Sequence, residues 1–397
     1  PPLDVVADHG RREGRFQNGG QVAADILGGL FQIQTHVGNF LITGQTEALN
    51  GLTDLLFKFL FHPHHQGTLY RKGKKKSISK SYLKILLTSS WVVDTIASVI
   101  KKPMISNRGI SMKYKIVADS ACNIVSGEDG TFASVPMKIV AEREYVDDAN
   151  LDVAQMVEDL KQYKGKSGSS CPNVGEWLEA FGDAEEVFGI TISKHLSGSY
   201  NAARHAADTY MSEHPARKVF IFDSLATGPE MMMLAEKIRQ CEDAGDDFET
   251  TKEKVLDYHN HLHTLFCLES MNNLARNGRV NIAVAKIAGM LGIRVAGEAK
   301  GGQVAPVHKP RGLRKTTQML VDMVKERGFR DGGYIRVAHC FAEEAAADFR
   351  EALLAEFPNA RFMLEPTTAL CSYYAEVGGL IIGFEGAFNT HNDNRLF

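Results

Sequence analysis

Between Met112 and Asp223, short apolar and β-branched runs repeatedly end in small polar residues and pass straight into amphipathic, helix-forming segments. Lys113 to Ala118 (KYKIVA) ends at Asp119-Ser120. Glu186 to Ser193 (EVFGITIS) ends at His195-Leu196-Ser197-Gly198-Ser199-Tyr200, and Lys218 to Phe222 ends at Asp223-Ser224. A fourth junction, Ser169-Ser170-Cys171-Pro172-Asn173, follows a weaker run. Strand side chains alternate with period two and helix side chains repeat every 3.6 residues, so a chain that switches between these periods buries both by laying helices on a sheet. The expected fold is therefore layered α/β. In an open sheet of this kind the carboxyl ends of the strands line the ligand crevice, where hydroxyls and helix N-terminal N–H groups suit an anion.

Local signals support the helix starts. Asn173 with Glu176 and Thr227 with Glu230 have capping-box spacing, each with a proline beside the start (Pro172, Pro229). The segment Ser199 to Tyr210 (SYNAARHAADTY) carries alanines on the face expected to meet the sheet. Asn281 to Ile293 (NIAVAKIAGMLGI) reads as a small, apolar helix, and Met231, Met232 and Met233 offer adaptable side chains for a core or an apolar ligand.

Charge divides the chain. The 397 residues carry 45 Lys+Arg and 48 Asp+Glu, net −3. Residues 1 to 111 hold 14 Lys+Arg and 7 Asp+Glu, net +7, so residues 112 to 397 carry −3 − 7 = −10. The first segment joins a Gly-rich polar stretch, a weakly periodic apolar region, the run His62-Pro63-His64-His65 and the basic tract Arg71 to Lys84. It is expected to lie outside the folded domain, as a disordered extension or as translated upstream sequence with Met112 as the native start. The apolar run Ile85 to Ile100 is broken by Asp94 and falls short of the ~20 residues a membrane span needs. The acidic remainder excludes nucleic-acid binding driven by overall charge. Six separate cysteines with no C-x-x-C suit reduced thiols in a cytoplasm and no structural zinc site.

Several chemistries lack their motifs. Gly165-Lys166-Ser167 resembles the end of a phosphate-binding loop, but residue 160 is Leu where the first glycine belongs. No G-x-G-x-x-G follows a strand, and no G-x-S-x-G surrounds a serine. His195 and Ser197, two apart, leave open a serine-dependent acyl hydrolase or transferase. His259, His261 and His263 would share a face on a strand and suit a metal, or else flank a strand start in solvent.

The junctions form an ordered series with Val135-Pro136-Met137-Lys138-Ile139, Glu144-Tyr145, Asp147, Asn277-Gly278-Arg279 and Arg311-Gly312-Leu313-Arg314-Lys315. In that order they resemble the DegV family of fatty-acid-binding proteins, also called FakB, over about Met112 to Gly386. The resemblance implies a two-domain fold: a layered α/β/α domain over 112–265 and a smaller α/β domain over 266–397, with a lipid tunnel between them. It also implies a function, in which one long-chain fatty acid is enclosed and its carboxylate presented to a separate fatty acid kinase of the dihydroxyacetone-kinase type for acyl-phosphate formation. The binding protein is then not itself an enzyme, carries no cofactor beyond the fatty acid, and works in the cytoplasm. Carried over position by position, the carboxylate-binding residues are Ser169, Ser170, Ser197 and Arg279. Where many members have His-x-Gly-Pro-Gly, this chain has Tyr374-Ala375-Glu376-Val377-Gly378-Gly379, so Tyr374 replaces a histidine.

The chemistry is consistent with that role. A buried carboxylate needs a cation and several donors. An acyl chain gains ~0.8 kcal/mol per buried CH₂, on the order of 10 kcal/mol in all before ordering costs. Tyrosine donates a hydrogen bond but, unlike histidine, cannot become cationic near neutral pH, which shifts the burden to Arg279. Lys309, Arg311, Arg314 and Lys315 form a basic tract suited to transient contact with an anionic membrane surface or an acidic partner, or to a solvated helix start.

Overall fold

The computed structural model describes residues 112–124, 130–288 and 292–392, all within the compact unit Asn107–Phe397. The expected extension 1–111, its histidine run and the Met112 start lie outside the described residues or at their edge. Three sheets organise what is described.

The first is a four-stranded parallel sheet, ordered β2-β1-β6-β7, from Tyr114–Asp119 (β1), Phe132–Val135 (β2), Glu186–Thr191 (β6) and Lys218–Asp223 (β7). Its alternation decides which face each residue serves. Val117, Val187 and Ile221 pack on one side with Trp177 and Phe181 of α2 (Val174–Phe181) and Ala203, Ala206 and Ala207 of α3 (Ser199–Glu213). Ile116, Ala118, Phe188, Ile190 and Phe222 pack on the other with α4 (Pro229–Asp243) and α5 (Phe248–His259). The alanines of α3 thus face the sheet as their spacing indicated, allowing close approach.

The strand ends and helix starts agree with the sequence reading to within a few residues. At Asn173 the capping box forms: its side chain accepts the Glu176 N–H while the Glu176 carboxylate accepts the Asn173 N–H. The box expected at Thr227 does not form. Gly228, at φ +61°, occupies the cap with Pro229 after it, and the Glu230 carboxylate is drawn away to accept the Thr264 hydroxyl at 2.6 Å. Met231, Met232 and Met233 are buried in the core of the first sheet.

A small antiparallel sheet, β4-β3-β5, combines Lys138–Val140 (β3), Glu144–Val146 (β4) and Gly168–Ser170 (β5), with α1 (Val153–Gln162) between its last two strands. The third sheet has six strands in the order β10-β9-β8-β13-β11-β12. These are Leu262–Leu268 (β8), Val295–Lys300 (β9), Gln303–His308 (β10), Tyr334–Cys340 (β11), Arg361–Pro366 (β12) and Gly379–Glu385 (β13). Every pairing is antiparallel except β11 with β12. The boundary expected at 265/266 falls inside β8, which belongs to this sheet throughout, so the division between the two large sheets lies before Leu262.

Alternation again sorts the residues of the six-stranded sheet. Leu265, Cys267, Leu380, Ile382 and Phe384 pack with α8 (Leu313–Glu326) and α9 (Glu343–Glu356). Phe266, Leu268 and Ile381 project from the opposite face, where Cys371 and Ala375 of α10 (Ala369–Ala375) join them. Between β8 and β9 run the short helices α6 (Asn272–Arg276) and α7 (Ile282–Ala288); the expected helix Asn281 to Ile293 is described only over α7, since 289–291 lie outside the described residues. Gly383 sits where a Cβ would come within 2.8 Å of the Glu230 backbone nitrogen, so the start of α4 lies directly against β13.

Buried charge also joins the two large sheets. Arg336 on β11, 5% exposed, pairs with Glu365 on β12 at 2.9 Å and with Glu236 on α4. Burial holds the Glu365 carboxyl above the usual carboxylate range, against the pull of Arg336.

Candidate functional site

A pocket opens between the carboxyl ends of the parallel sheet and the free face of the six-stranded sheet. Its wall is largely apolar: Met137, Ile192, Leu196, Phe266, Leu268, Leu370 and Ile381, among others. Each arrives by a simple route. Ile192 and Leu196 follow the end of β6, Phe266 and Leu268 occupy alternate positions of β8, and Leu370 lies on the first turn of α10. Cys371 lines the pocket too, and burial pushes its thiol up to about 12, so it remains a neutral, apolar sulfur at physiological pH.

Four of the five residues carried over from the family motifs line this pocket: Ser169, Ser197, Arg279 and Tyr374. The Ser169 and Tyr374 hydroxyls are 2.7 Å apart. Tyr374 is held from behind by an edge-on contact with Tyr373, ring centroids 4.8 Å apart, and the Tyr373 hydroxyl is fixed by Ser167 at 2.9 Å and by the Asn277 amide at 3.0 Å. Burial raises the Tyr374 pKa above its ordinary value, while Ser169 and the positive charge of Arg279 oppose the rise. The phenol therefore stays neutral near physiological pH.

Arg279 follows Gly278, whose φ of +74° reverses the chain after α6 at low cost for glycine. Its Nε donates to the Leu196 carbonyl at 3.1 Å and its Nη1 to the Asn277 carbonyl, anchoring the guanidinium beside the Ser197 loop. Ser197 precedes α3, and its Oγ accepts the Ser199 N–H at 3.2 Å. The same edge of Ser197 and Arg279 borders a polar surface hollow with Lys194, His195, Asn201 and Asn277. Leu196, Ser197 and Arg279 thus line both the apolar pocket and the polar hollow.

Ser170 departs from the set. It is exposed and does not line the pocket. On a strand only alternate residues share a face, so with Ser169 turned to Tyr374 its neighbour points away. His195 is exposed, and among the described residues no hydrogen bond joins it to Ser197, whose Oγ is instead engaged by the Ser199 N–H. The three histidines do not share one strand. His259 ends α5 and is buried, bonding the Ser224 carbonyl at 2.8 Å, while His263 lies on β8. Among the described residues, no group of three or more His, Cys, Asp or Glu side chains is placed to hold a metal.

Sequence reasoning missed much of the surrounding support. Tyr373 stands in none of the motifs, the Leu196 carbonyl is a backbone group that no side-chain pattern marks, and the strand faces of β8 and β13 that build the apolar wall were not read from the sequence.

These features define a mixed α/β protein with an apolar pocket between two sheets, headed by hydroxyls and a guanidinium. A family model described as "Uncharacterised protein, DegV family" matches residues 113–385. A DegV domain-containing protein of Streptococcus pneumoniae is 37% identical over 280 residues, covering 69% of this chain and 99% of the relative. The chain belongs to the DegV family. Among solved structures, a DegV family protein from Eubacterium eligens loaded with heptadecanoic acid matches with TM-score 0.67 and 36% identity, over 69% of this chain and 99% of that one. The Streptococcus pneumoniae Fatty Acid Kinase (Fak) B3 protein loaded with linoleic acid matches with TM-score 0.67 and 37% identity over the same shares. Among the described residues no helix is long and apolar enough to cross a membrane.

Proposed function

We propose that this chain binds one long-chain fatty acid, with its acyl chain in the apolar pocket and its carboxylate held by Ser169, Ser197, Arg279 and Tyr374. The observation that carries the reading is that those four side chains line one pocket whose wall is otherwise largely apolar, with Ser169 and Tyr374 in hydrogen-bond contact. A carboxylate there gains a cation and several hydroxyl donors, while the chain gains the hydrophobic transfer term. The fatty-acid-loaded structures of similar chains support it.

The bound carboxylate is presented through the polar hollow to a separate fatty acid kinase of the dihydroxyacetone-kinase type, which makes the acyl phosphate. This chain serves as the binding subunit and not as the enzyme. The similarity to the pneumococcal Fatty Acid Kinase (Fak) B3 protein supports a kinase partner. We place the protein in the cytoplasm; its six cysteines are all free thiols, as a reducing compartment allows. The exposed Lys309, Arg311, Arg314 and Lys315 give it a basic face for transient contact with an anionic membrane surface when the lipid is exchanged.

The test is a reconstituted reaction containing such a kinase, ATP, linoleic acid and this chain, with acyl phosphate trapped as the hydroxamate. Product should require both proteins and fall sharply with Arg279→Gln. Product from the kinase alone, or none with wild-type chain that has bound linoleic acid, rejects presentation.

A further inference from the structure

Two adjacent buried residues that do not themselves line the pocket, Asp119 and Ser120, sit at the end of β1 and tie together both halves of the carboxylate site. Asp119 Oδ2 accepts the Ser199 hydroxyl at 2.6 Å and the Ile192 N–H at 3.0 Å. Ile192 is where β6 gives way to the loop carrying Leu196 and Ser197, and Ser199 is where that loop enters α3. The loop is therefore pinned at both ends by one oxygen atom. Ser199 in turn donates its backbone N–H to Ser197 Oγ, so the line from Asp119 to the pocket is continuous: carboxylate, Ser199, Ser197.

Ser120 reaches the other half. Its hydroxyl donates to Asp147 Oδ2 at 2.8 Å and accepts the Met137 N–H at 3.0 Å. Asp147 caps the start of α10, taking the Ala369 N–H on Oδ1 at 2.9 Å and the Leu370 N–H on Oδ2 at 3.0 Å. That helix carries Tyr374, and Met137 leads into β3, whose Ile139 pairs with Ser169. Asn123 adds a second clamp: its amide donates to the Pro366 carbonyl at 3.0 Å and its oxygen accepts the Thr368 N–H at 2.6 Å. Ser197 approaches the pocket from one strand end, Ser169 and Tyr374 from β5 and α10, and both groups are referenced to the same two residues.

We infer that Asp119 and Ser120 are positioning residues, which set the spacing between Ser197 on one side and Ser169 with Tyr374 on the other for a carboxylate head group. The inference rests on the fatty-acid reading above and says how that site is built. Burial alone does not account for the arrangement. Asp119 is fully buried, its Oδ1 lacks a hydrogen-bond partner of normal geometry, and burial raises its carboxyl from 3.8 to about 7. An apolar side chain would avoid that cost, so the carboxyl is informative as an acceptor aimed at the Ser197 loop.

The test compares linoleic acid with linoleyl alcohol, which shares the chain and lacks the carboxylate, by equilibrium competition on the full chain. Asp119→Ala and the milder Ser199→Ala should each weaken the acid about tenfold, the effect of one well-placed hydrogen bond, and leave the alcohol within about twofold. Asp119→Asn, whose amide oxygen accepts the same two hydrogen bonds, should recover most of the loss. Equal loss of acid and alcohol in Ser199→Ala reduces the role to general support and overturns the inference; so does no loss of either. Wild-type chain that binds neither ligand overturns the fatty-acid reading itself, a result distinct from both.

Discussion

The four-stranded parallel sheet and the six-stranded sheet meet at one pocket and bring it different chemistry. Parallel strands all end on the same edge, so Asp119-Ser120 after β1, the Ile192 to Ser197 loop after β6 and the Ala226-Thr227 turn after β7 gather there with polar groups unspent by the ladder. The six-stranded sheet is mostly antiparallel, and it turns toward the pocket alternate side chains of β8 and β13, chiefly Phe266, Leu268 and Ile381 with Thr264, joined by Ala299 of β9 and by Gln303 and Val304 of β10. The parallel sheet thus contributes Ser197 and the loops beside it, the small sheet contributes Ser169 from β5, and the six-stranded sheet contributes a wall made of strand faces. Arg279 and Tyr374 come from the turn after α6 and from α10, elements attached to the second sheet that reach across to the first. The lesson is that topology apportions polar and apolar surface before any single residue is chosen.

The largest effects should come from breaking the joint between these regions. Arg336→Ala leaves Glu236 and Glu365 facing each other across that joint without their cation, and should cost about 3–5 kcal/mol of stability in denaturant unfolding. A loss under about 1 kcal/mol would mean the sheets are held by apolar packing alone.

Next is a pH effect confined to the parallel sheet. Asp119 has its pKa raised from 3.8 to about 7, chiefly by burial against the hydrogen bonds that lower it, so folding favours its neutral form. That contribution is fully present below about 3.8 and is lost as pH rises through about 7, a swing on the order of a few kcal/mol. Unfolding free energies of wild type and Asp119→Asn measured between pH 4 and 8 should therefore diverge, wild type falling relative to the variant as pH rises. Parallel curves would contradict the assignment.

The head group separates the two regions more finely. Arg279→Gln removes a charged donor and should weaken linoleic acid by roughly ten- to a hundredfold, with linoleyl alcohol little changed. Tyr374→Phe removes one neutral hydroxyl and should cost roughly threefold to tenfold for the acid alone. Tyr374→His sharpens the same point: relative to wild type its affinity for the acid should increase as pH falls through the ordinary histidine range, because imidazole gains a charge there that the buried phenol does not. Isothermal titration of the three variants against acid and alcohol checks all of these.

What could be read in the sequence followed the same division. The strands β1, β6 and β7 and the alanine face of α3 were legible because each signal is local: alternation within six residues, or small residues at helical spacing. Ser197, Arg279 and Tyr374 were reached through resemblance and not from periodicity. Which of Ser169 and Ser170 lines the pocket was not legible, because β5 has only three residues, too few to show which of two neighbouring serines faces inward. The Thr227 cap misled because Glu230 has a tertiary partner in Thr264 that outweighs the local box. Asp147 was legible only as a member of the family series; that it caps a helix 222 residues away leaves no local signal, since the cap is formed by a residue distant in sequence.

The central claim is that this pocket holds one fatty acid by its carboxylate. Native mass spectrometry of the chain as purified, followed by denaturation and lipid analysis, tests it most directly. The account predicts one long-chain fatty acid per chain, released on unfolding and strongly depleted in Arg279→Gln. A wild-type chain that is ligand-free and takes up no linoleic acid when offered it would contradict the account.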